Sequence, residues 1–320
     1  MRDLTQPLKL IEILSDGQFH SGEELGALFG MSRVAINKHI KTIKEWGIAL
    51  SSVQGKGYKL DYPLQLLNLQ KIADYYPRNK ELQLEVIPVI DSTNQYLLNK
   101  TQQLSPGDAC VAEYQQAGRG RRGRQWFSPF GANLYLSMYW RLEQGPAAAM
   151  GLSLMIGIVL AEVLREVSGQ DIRVKWPNDL YLNDKKLVGI LVEMIGRTGD
   201  YAHVVMGMGI NLAMHNPDPN IVNQRFENLG NVDRNQLVAK LLQSLRASLV
   251  EFEKTGFTPF IQRWNQLDNF LNRPIKLLIG EQVIRGIGRG INEQGALLLE
   301  QNGVIKPFIG GEISLRADDS

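Results

Sequence analysis

Gly118-Arg119-Gly120-Arg121-Arg122-Gly123-Arg124 puts four guanidinium groups within seven residues on a backbone loosened by three glycines. Arginine keeps its proton and offers a planar fork of donors to anionic oxygens, while glycine lets the main chain close around a ligand where a Cβ would obstruct it. The stretch predicts a loop that is mobile when empty and ordered by a phosphate or carboxylate. On these residues alone, a solvated surface loop or a nonspecific RNA-binding tract is the plainer alternative. Two familiar nucleotide loops are excluded. The glycines have the spacing of a dinucleotide-binding turn, but Gln125-Trp126-Phe127-Ser128-Pro129-Phe130-Gly131 follows, and Pro and Gly there keep a helix from opening. A Walker A loop needs Lys and Ser/Thr after its last glycine, where this chain has Arg124-Gln125.

Four further clusters accompany the loop. Asp91-Ser92-Thr93-Asn94 follows a strand and can line a polar ligand or cap the helix expected from Asn94. Lys175-Trp176-Pro177-Asn178-Asp179 gathers a cation, an aromatic ring, an amide and a carboxylate at one turn. Lys185-Lys186 opens the strand that runs on to Glu193, and Gly207-Met208-Gly209-Ile210-Asn211 ends another with backbone access and an amide. The combination points to activation of a carboxylate by ATP. Two anions meet only if fixed cations neutralise them, and the same water-poor site can shelter an acyl adenylate. No nucleophilic triad is present, and none is needed, because the substrate carboxylate is itself the nucleophile.

Away from the loop, 320 residues at 44% apolar content suffice for two or three domains. One cysteine, Cys110, excludes internal disulfides and reads as a small buried hydrophobe. The histidines at 20, 39, 203 and 215 have no metal-ligand spacing, so a reducing cytoplasm and no structural metal are expected. The start of the chain leads into no signal core. The uncharged run Ala147 to Ala161 falls short of the roughly 20 residues a bilayer needs, so it is expected within a buried helix from Gly145 to Val167 rather than in a membrane. Net charge is only +2, so any nucleic-acid surface must be local.

Such a surface is expected at residues 1–63. Leu8, Ile11 and Leu14 recur at helical spacing, Ser21 and Glu24 form a capping box, and Gly30 breaks the helix between them and Ser32. Ser32 caps a helix to Trp46 with Ile36, His39, Ile40 and Ile43 inward. Val53 to Leu60 reads as a hairpin with a glycine-rich basic tip. Helix, tight turn, polar-faced helix and wing make a winged helix-turn-helix; a protein-interaction domain is the plainer alternative. Arg33 to Lys59 holds six Lys/Arg and one acidic residue. Arg33, Asn37 and Lys38 are the base-reading candidates, and Lys41, Lys44 and Lys56 suit phosphates.

Residues 66–270 mix strands (Glu85–Ile90, Asn133–Trp140, Leu187–Ile195, His203–Asn211) with helices, one marked by Leu237, Leu241, Leu245, Leu249 and Phe252. Residues 271–320 alternate short strands with turns at Gly280-Glu281, Asn292 to Gly295 and Asn302-Gly303, which predicts a small β-barrel.

On the arginine loop through Trp126, Lys175 to Leu180, Lys186 to Glu193 and Gly207 to Leu212, the chain resembles the bacterial family of bifunctional biotin protein ligases and biotin operon repressors. The likeness spans nearly the whole chain. It implies an α+β multidomain protein: a winged helix-turn-helix, a central biotin/lipoate-ligase-like domain of class II synthetase type with a mixed sheet, and an SH3-like β-barrel. It implies that biotin attacks Mg2+-bound ATP to give biotinyl-5′-AMP, and that a lysine of biotin carboxyl carrier protein then attacks the acyl carbon. The adenylate would act as corepressor on the biotin operator, through a homodimer formed by the central domains. Carried onto this sequence, biotin falls to Ser92, Thr93, Asn94, Gln115, Arg119, Gly120, Arg121, Lys186 and Gly189. ATP or adenylate falls to Gly118, Arg119, Arg121, Arg124, Trp126, Asn178 and Asn211, and operator DNA to Ser32, Arg33, Asn37, Lys38, Lys41 and Lys56. Lys186, Arg121 and Asp179 would be catalytic, with Asp179 orienting the incoming lysine or taking its proton. The segment Asn223 to Asn228 would order with the adenylate, and Phe226 stands where the family pattern has Trp. A regulator that only senses a small acid, and a lipoate ligase, are the rival readings.

Overall fold

The computed structural model describes residues 4–78, 80–143, 151–196, 201–215, 217, 219–222, 224–310 and 313–318. Three helices come first, α1 Thr5–Leu14, α2 Gly22–Phe29 and α3 Arg33–Glu45. Ser21 caps α2 in the expected box, its hydroxyl accepting from Glu24 N at 3.0 Å. Gly30 ends α2 at φ 62°, and Ser32 Oγ accepts from Ala35 N to start α3. Leu10, Ile11, Leu14, Leu25, Ile36, Ile40 and Ile43 form one buried cluster, while His39 is only half-buried. The wing is a hairpin of β1 Leu50–Val53 and β2 Gly57–Leu60, bridged to His20 through Tyr58.

The winged helix is seated on the next unit by specific contacts. Phe130 N donates to Trp46 O at 2.9 Å, and the two rings stack with centroids 5.6 Å apart. Tyr62 stacks on His215 with centroids 3.7 Å apart. The chain between is strapped down: Arg234 pairs with Glu113 at 2.7 Å, both buried, Leu67 N donates to Glu113, and Asn68 N donates to Asn235 Oδ1. A buried ion pair of this kind holds only while both partners stay, because removing one strands the other's charge.

Residues from α4 Leu69–Tyr75 to α8 Ile261–Leu267 build a seven-stranded sheet: β3 Leu84–Ile90, β4 Ala109–Gln115, β5 Asn133–Leu142, β6 Arg173–Lys175, β7 Asp179–Leu182, β8 Lys185–Gly196 and β9 Ala202–Asn211. Its order is β3-β4-β5-β9-β8-β7-β6, with only β3 and β4 parallel. One face carries α6 Leu152–Ser168 and α7 Arg234–Thr255, packed in the largest core with Val111, Met138, Val204 and Met206. Alternate residues point the other way, so Cys110, Tyr139 and Val205 meet Leu97 of α5 Thr93–Leu98. Cys110 is fully buried and burial pushes its thiol up to about 12, which makes it the inert hydrophobe expected. The apolar helix begins at Leu152 instead of Gly145; Gly151, at φ 89°, precedes it, and residues 144–150 lie outside the described residues. Helix α5 begins at Thr93, one residue before the expected Asn94, because Ser92 takes the capping position.

Five antiparallel strands follow, β10 Pro274–Ile279, β11 Gln282–Ile291, β12 Leu297–Gln301, β13 Val304–Phe308 and β14 Ile313–Ala317, in the order β13-β12-β11-β10-β14. The three turn signals read from sequence join β10 to β11, β11 to β12 and β12 to β13. Among the described residues no helix is long and apolar enough to cross a membrane.

Candidate active site

A cavity of about 360 Å³ opens on the sheet face opposite α6 and α7. Its floor is explained by glycine. Gly207 and Gly209 alternate onto this face of β9, and Gly189 of β8 lies opposite Gly209 in the ladder. A Cβ at Gly189 would stand 2.7 Å from the Trp126 ring, one at Gly209 would press closer still, and one at Gly207 would overlap the Asn94 amide. The motif Gly207-Met208-Gly209 thus makes room for two inserted side chains, an amide and an indole. The indole N–H of Trp126 is buried without an acceptor among the described residues.

At one end the capping turn and the strand ends form a polar network. Gln115 Oε1 accepts from Thr93 N at 3.0 Å and Thr93 Oγ1 at 3.1 Å, and Gln115 Nε2 donates to Ser128 Oγ at 3.0 Å. Asn94 Nδ2 donates to Glu193 Oε2 at 2.8 Å, and the same carboxylate oxygen pairs with Arg119 at 2.8 Å. Ser92, Thr93 and Asn94 are all buried, so these groups are positioned before any ligand arrives.

At the other end the arginine loop folds over the cavity. Arg122 sits at φ 59° at the loop's apex, an unusual value for a side-chain-bearing residue. Arg121 Nη1 donates to Asn178 Oδ1 at 2.8 Å, and Asn178 Nδ2 donates to Ile190 O at 2.7 Å, so the amide ties the loop to β8. Asp179 Oδ1 lies 2.8 Å from Lys186 Nζ and its Oδ2 lies 3.3 Å from Lys175 Nζ. Burial works to raise the Asp179 carboxyl, but Lys186 and Lys175 outweigh it and hold the group below its ordinary value. Lys186 Nζ also stands 5.4 Å from the Trp126 ring centre.

Every pocket residue expected from sequence lines this cavity except Gly118. That glycine packs beneath it, where a Cβ would clash with Trp126 O and Ser128 Oγ. The sequence reading missed other contributors. Tyr135 comes from the middle of β5, and Met214, Ile221 and Val222 come from the segment after β9, which also brings the expected Phe226 to the wall. Phe226 is bridged to Lys186: Lys186 N donates to Arg225 O at 3.2 Å and Glu227 N to Lys186 O at 2.9 Å. Asn223, in the segment expected to order with ligand, lies outside the described residues. Ser314, Leu315 and Arg316 of β14 complete the wall, a contribution from the last unit that no motif signalled.

The winged helix presents a second surface. Arg33, Val34, Asn37, Lys38, Lys41 and Lys56 are exposed, and Val34 is 79% accessible. The DNA-binding candidates are less uniform than their spacing implied. Ser32 is occupied in capping, Asn37 Oδ1 accepts from Tyr58 OH at 3.2 Å, and the Arg33 stem lies over Gly22.

Comparisons with known proteins agree with this architecture. Residues 86–211 match the biotin/lipoate A/B protein ligase family, residues 8–59 an HTH domain, and residues 270–316 the biotin protein ligase C terminal domain. The chain is 61% identical to the bifunctional ligase/repressor BirA of Escherichia coli (strain K12), over 99% of both chains. It is 33% identical to the biotin--[acetyl-CoA-carboxylase] ligase of Paracoccus denitrificans, over 65% of this chain and 90% of that one. Among solved structures, the biotin protein ligase from Aquifex aeolicus in complex with biotin and ATP superposes with a TM-score of 0.64 at 31% identity, covering 74% of this chain and 100% of that one. The chain therefore belongs to the biotin/lipoate A/B protein ligase family, as a biotin–protein ligase that carries an amino-terminal helix-turn-helix.

Proposed function

We propose that the protein joins biotin to ATP in this cavity, passes the biotinyl group to a lysine of biotin carboxyl carrier protein, and represses a biotin operator while the adenylate stays bound. The observation that carries the reading is the convergence of Arg119, Arg121, Arg124 and Lys186 on one cavity with the Ser92–Asn94 turn. Cations gathered under the loop and hydrogen-bonding groups at the Ser92–Asn94 turn, with Arg119 linked to that turn through Glu193, suit a molecule with an acid tail and a polar head. The biotin head belongs against Thr93, Asn94 and Gln115. Its carboxylate and the α-phosphate belong under Arg119, Gly120, Arg121 and Lys186, whose charges stabilise the pentavalent phosphorus. Pyrophosphate leaves, and the lysine amine then attacks the acyl carbon and expels AMP.

Asn178, Asn211, Arg124 and Trp126 are the nucleotide side of this assignment, Gly118 and Gly189 its close-approach positions, and Asp179 orients the incoming amine or takes its proton. Mg2+ enters as part of the nucleotide substrate, complexed to the triphosphate. No group of three metal-ligating side chains occurs among the described residues, and no step is assigned to the ion. The reading places the protein in the cytoplasm, where ATP, carrier and operator meet, with working units of 1–63, 66–270 and 271–320.

For repression, Ser32, Arg33, Asn37, Lys38, Lys41 and Lys56 face the operator, and a homodimer brings two wings to its halves. The outer edge of β8 suits that pairing. Its ladder with β7 ends at Gly189, while Met194 and Ile195 beyond it are exposed. The adenylate favours the dimer only by binding the paired form more tightly, which ordering of the arginine loop and of the segment around residues 223–228 supplies. The test uses purified protein with ATP and labelled biotin, to which a carrier domain or duplex DNA selected from a random pool is added in separate tubes. Labelled adenylate, labelled carrier and adenylate-dependent DNA retention are expected; labelled carrier without prior adenylate would overturn the two-step scheme.

A further inference from the structure

The Lys186 ammonium, which the proposed reaction needs as positive charge beside the acyl phosphate, is already paired with a carboxylate at 2.8 Å. A simple lysine–aspartate pair is neutral and offers little to an incoming anion. The second ammonium on the same carboxylate changes that count. Lys175 Nζ lies 3.3 Å from the other oxygen of Asp179, and its side chain is only 4% exposed. Neither the reaction as assigned nor the packing of the core gives Lys175 a task, and burying an ammonium is costly unless it is paired.

The three groups are held by the sheet. Lys175 and Asp179 are ladder partners between β6 and β7, and Asp179 pairs in turn with Gly189 of β8, the strand that starts at Lys185. The Tyr181 ring stands 4.8 Å from Lys175 Nζ and adds a further attraction. Burial holds the Lys175 ammonium below its ordinary value, and Arg316 and Arg124 oppose its charge as well, which leaves Asp179 as the counter-ion that favours it.

We propose that Lys175 is a positioning residue that acts through Asp179, by sharing its carboxylate so that the Lys175–Asp179–Lys186 cluster keeps one net positive charge at its Lys186 end. Asp179 fixes where the Lys186 ammonium stands, and Lys175 prevents that fixation from neutralising it. With both oxygens engaged by ammonium groups, Asp179 serves as their counter-ion, so of the two transfer-step roles offered for it above, orienting the incoming amine is the one left to it. The inference rests on Lys186 facing the acyl phosphate, as proposed above.

The experiment is biotin-dependent exchange of labelled pyrophosphate into ATP by full-length wild type, Lys175→Met and Lys175→Met/Asp179→Asn, with kcat and KM taken separately and melting curves recorded. Lys175→Met leaves a neutral cluster and is expected to lower kcat by roughly tenfold to a hundredfold. The double variant has one ammonium and no carboxylate, so it regains the positive charge and is expected to recover most of that loss. Loss of packing alone predicts no such recovery. A double variant as slow as Lys175→Met, or a Lys175→Met enzyme as fast as wild type, overturns the proposal. If Lys175→Met does not melt as a folded protein, Lys175→Gln carries the same charge change. If neither folds, the double variant is read against wild type directly, activity supporting the proposal and its absence overturning it. Absence of exchange by wild type would instead overturn the ligase reading on which the inference stands.

Discussion

The Trp126 indole rests on the backbone of Gly209, closer than any side chain at that position permits. Gly209→Ala is expected to displace the ring, shift tryptophan emission and slow adenylate formation, by about tenfold to a hundredfold if the misplacement reaches an ångström. Single-turnover formation of labelled adenylate measures it. Unchanged emission and rate would show that the ring has room elsewhere.

Phe130, four residues beyond Trp126, stacks on Trp46 at the end of α3 and is 3% exposed. Phe130→Ala is expected to cost about 3 kcal/mol and to loosen the winged helix from its seat. Limited trypsin digestion should then cut faster after Lys59 or Lys71, and cleavage at the wild-type rate would contradict the seating.

On α3, Lys41 is exposed, on the same stripe as Asn37 and Lys38, the face proposed to meet the operator. As a phosphate contact it carries affinity without sequence choice, so Lys41→Ala should lower binding to all duplexes alike and reduce the slope of log K against log salt by about one. Titrations at several salt concentrations test this, and an unchanged slope would remove Lys41 from the phosphate contacts.

Asp268 is buried beside β6, and desolvation pushes its carboxyl up to about 6 from an ordinary 3.8, although Phe270 N donates to it at 2.9 Å. The folded state therefore holds the proton more tightly than the unfolded one. Stability is full below pH 3.8 on this group's account and is lost as pH rises through about 6. Asp268→Asn removes that loss and keeps an acceptor for Phe270 N. It should stabilise the protein by about 3 kcal/mol at pH 7.5 and by much less at pH 4.5. Denaturant melts at both pH values decide it; an equal effect at both would mean that the carboxyl does not titrate in this window.

Much of the architecture was legible because local chemistry and tertiary need coincide. Ser21, Glu24, Gly30 and Ser32 mark the helix ends where the chain uses them. The Gly280-Glu281 and Asn302-Gly303 turns fall between paired strands. Strand β4 was missed although five of its seven residues are buried, since a short run buried on both faces shows no alternation. Residues with a visible charge or glycine pattern were found, and Phe226 was named from the family pattern, whereas Arg316 and Tyr135 were not. Arg316 reaches the cavity only because β14 packs there, and Phe226 only because its backbone pairs with Lys186. Such proximity is a property of the fold and leaves no spacing in the chain.

The most direct measurement of the central claim is exchange of labelled pyrophosphate into ATP, with and without biotin, by wild type and Arg121→Ala. Exchange that requires biotin, and that falls by about a hundredfold in Arg121→Ala, is the predicted result. Exchange indifferent to biotin, or equal in the two proteins, would contradict the claim that the arginine loop brings a carboxylate and a nucleotide phosphate together.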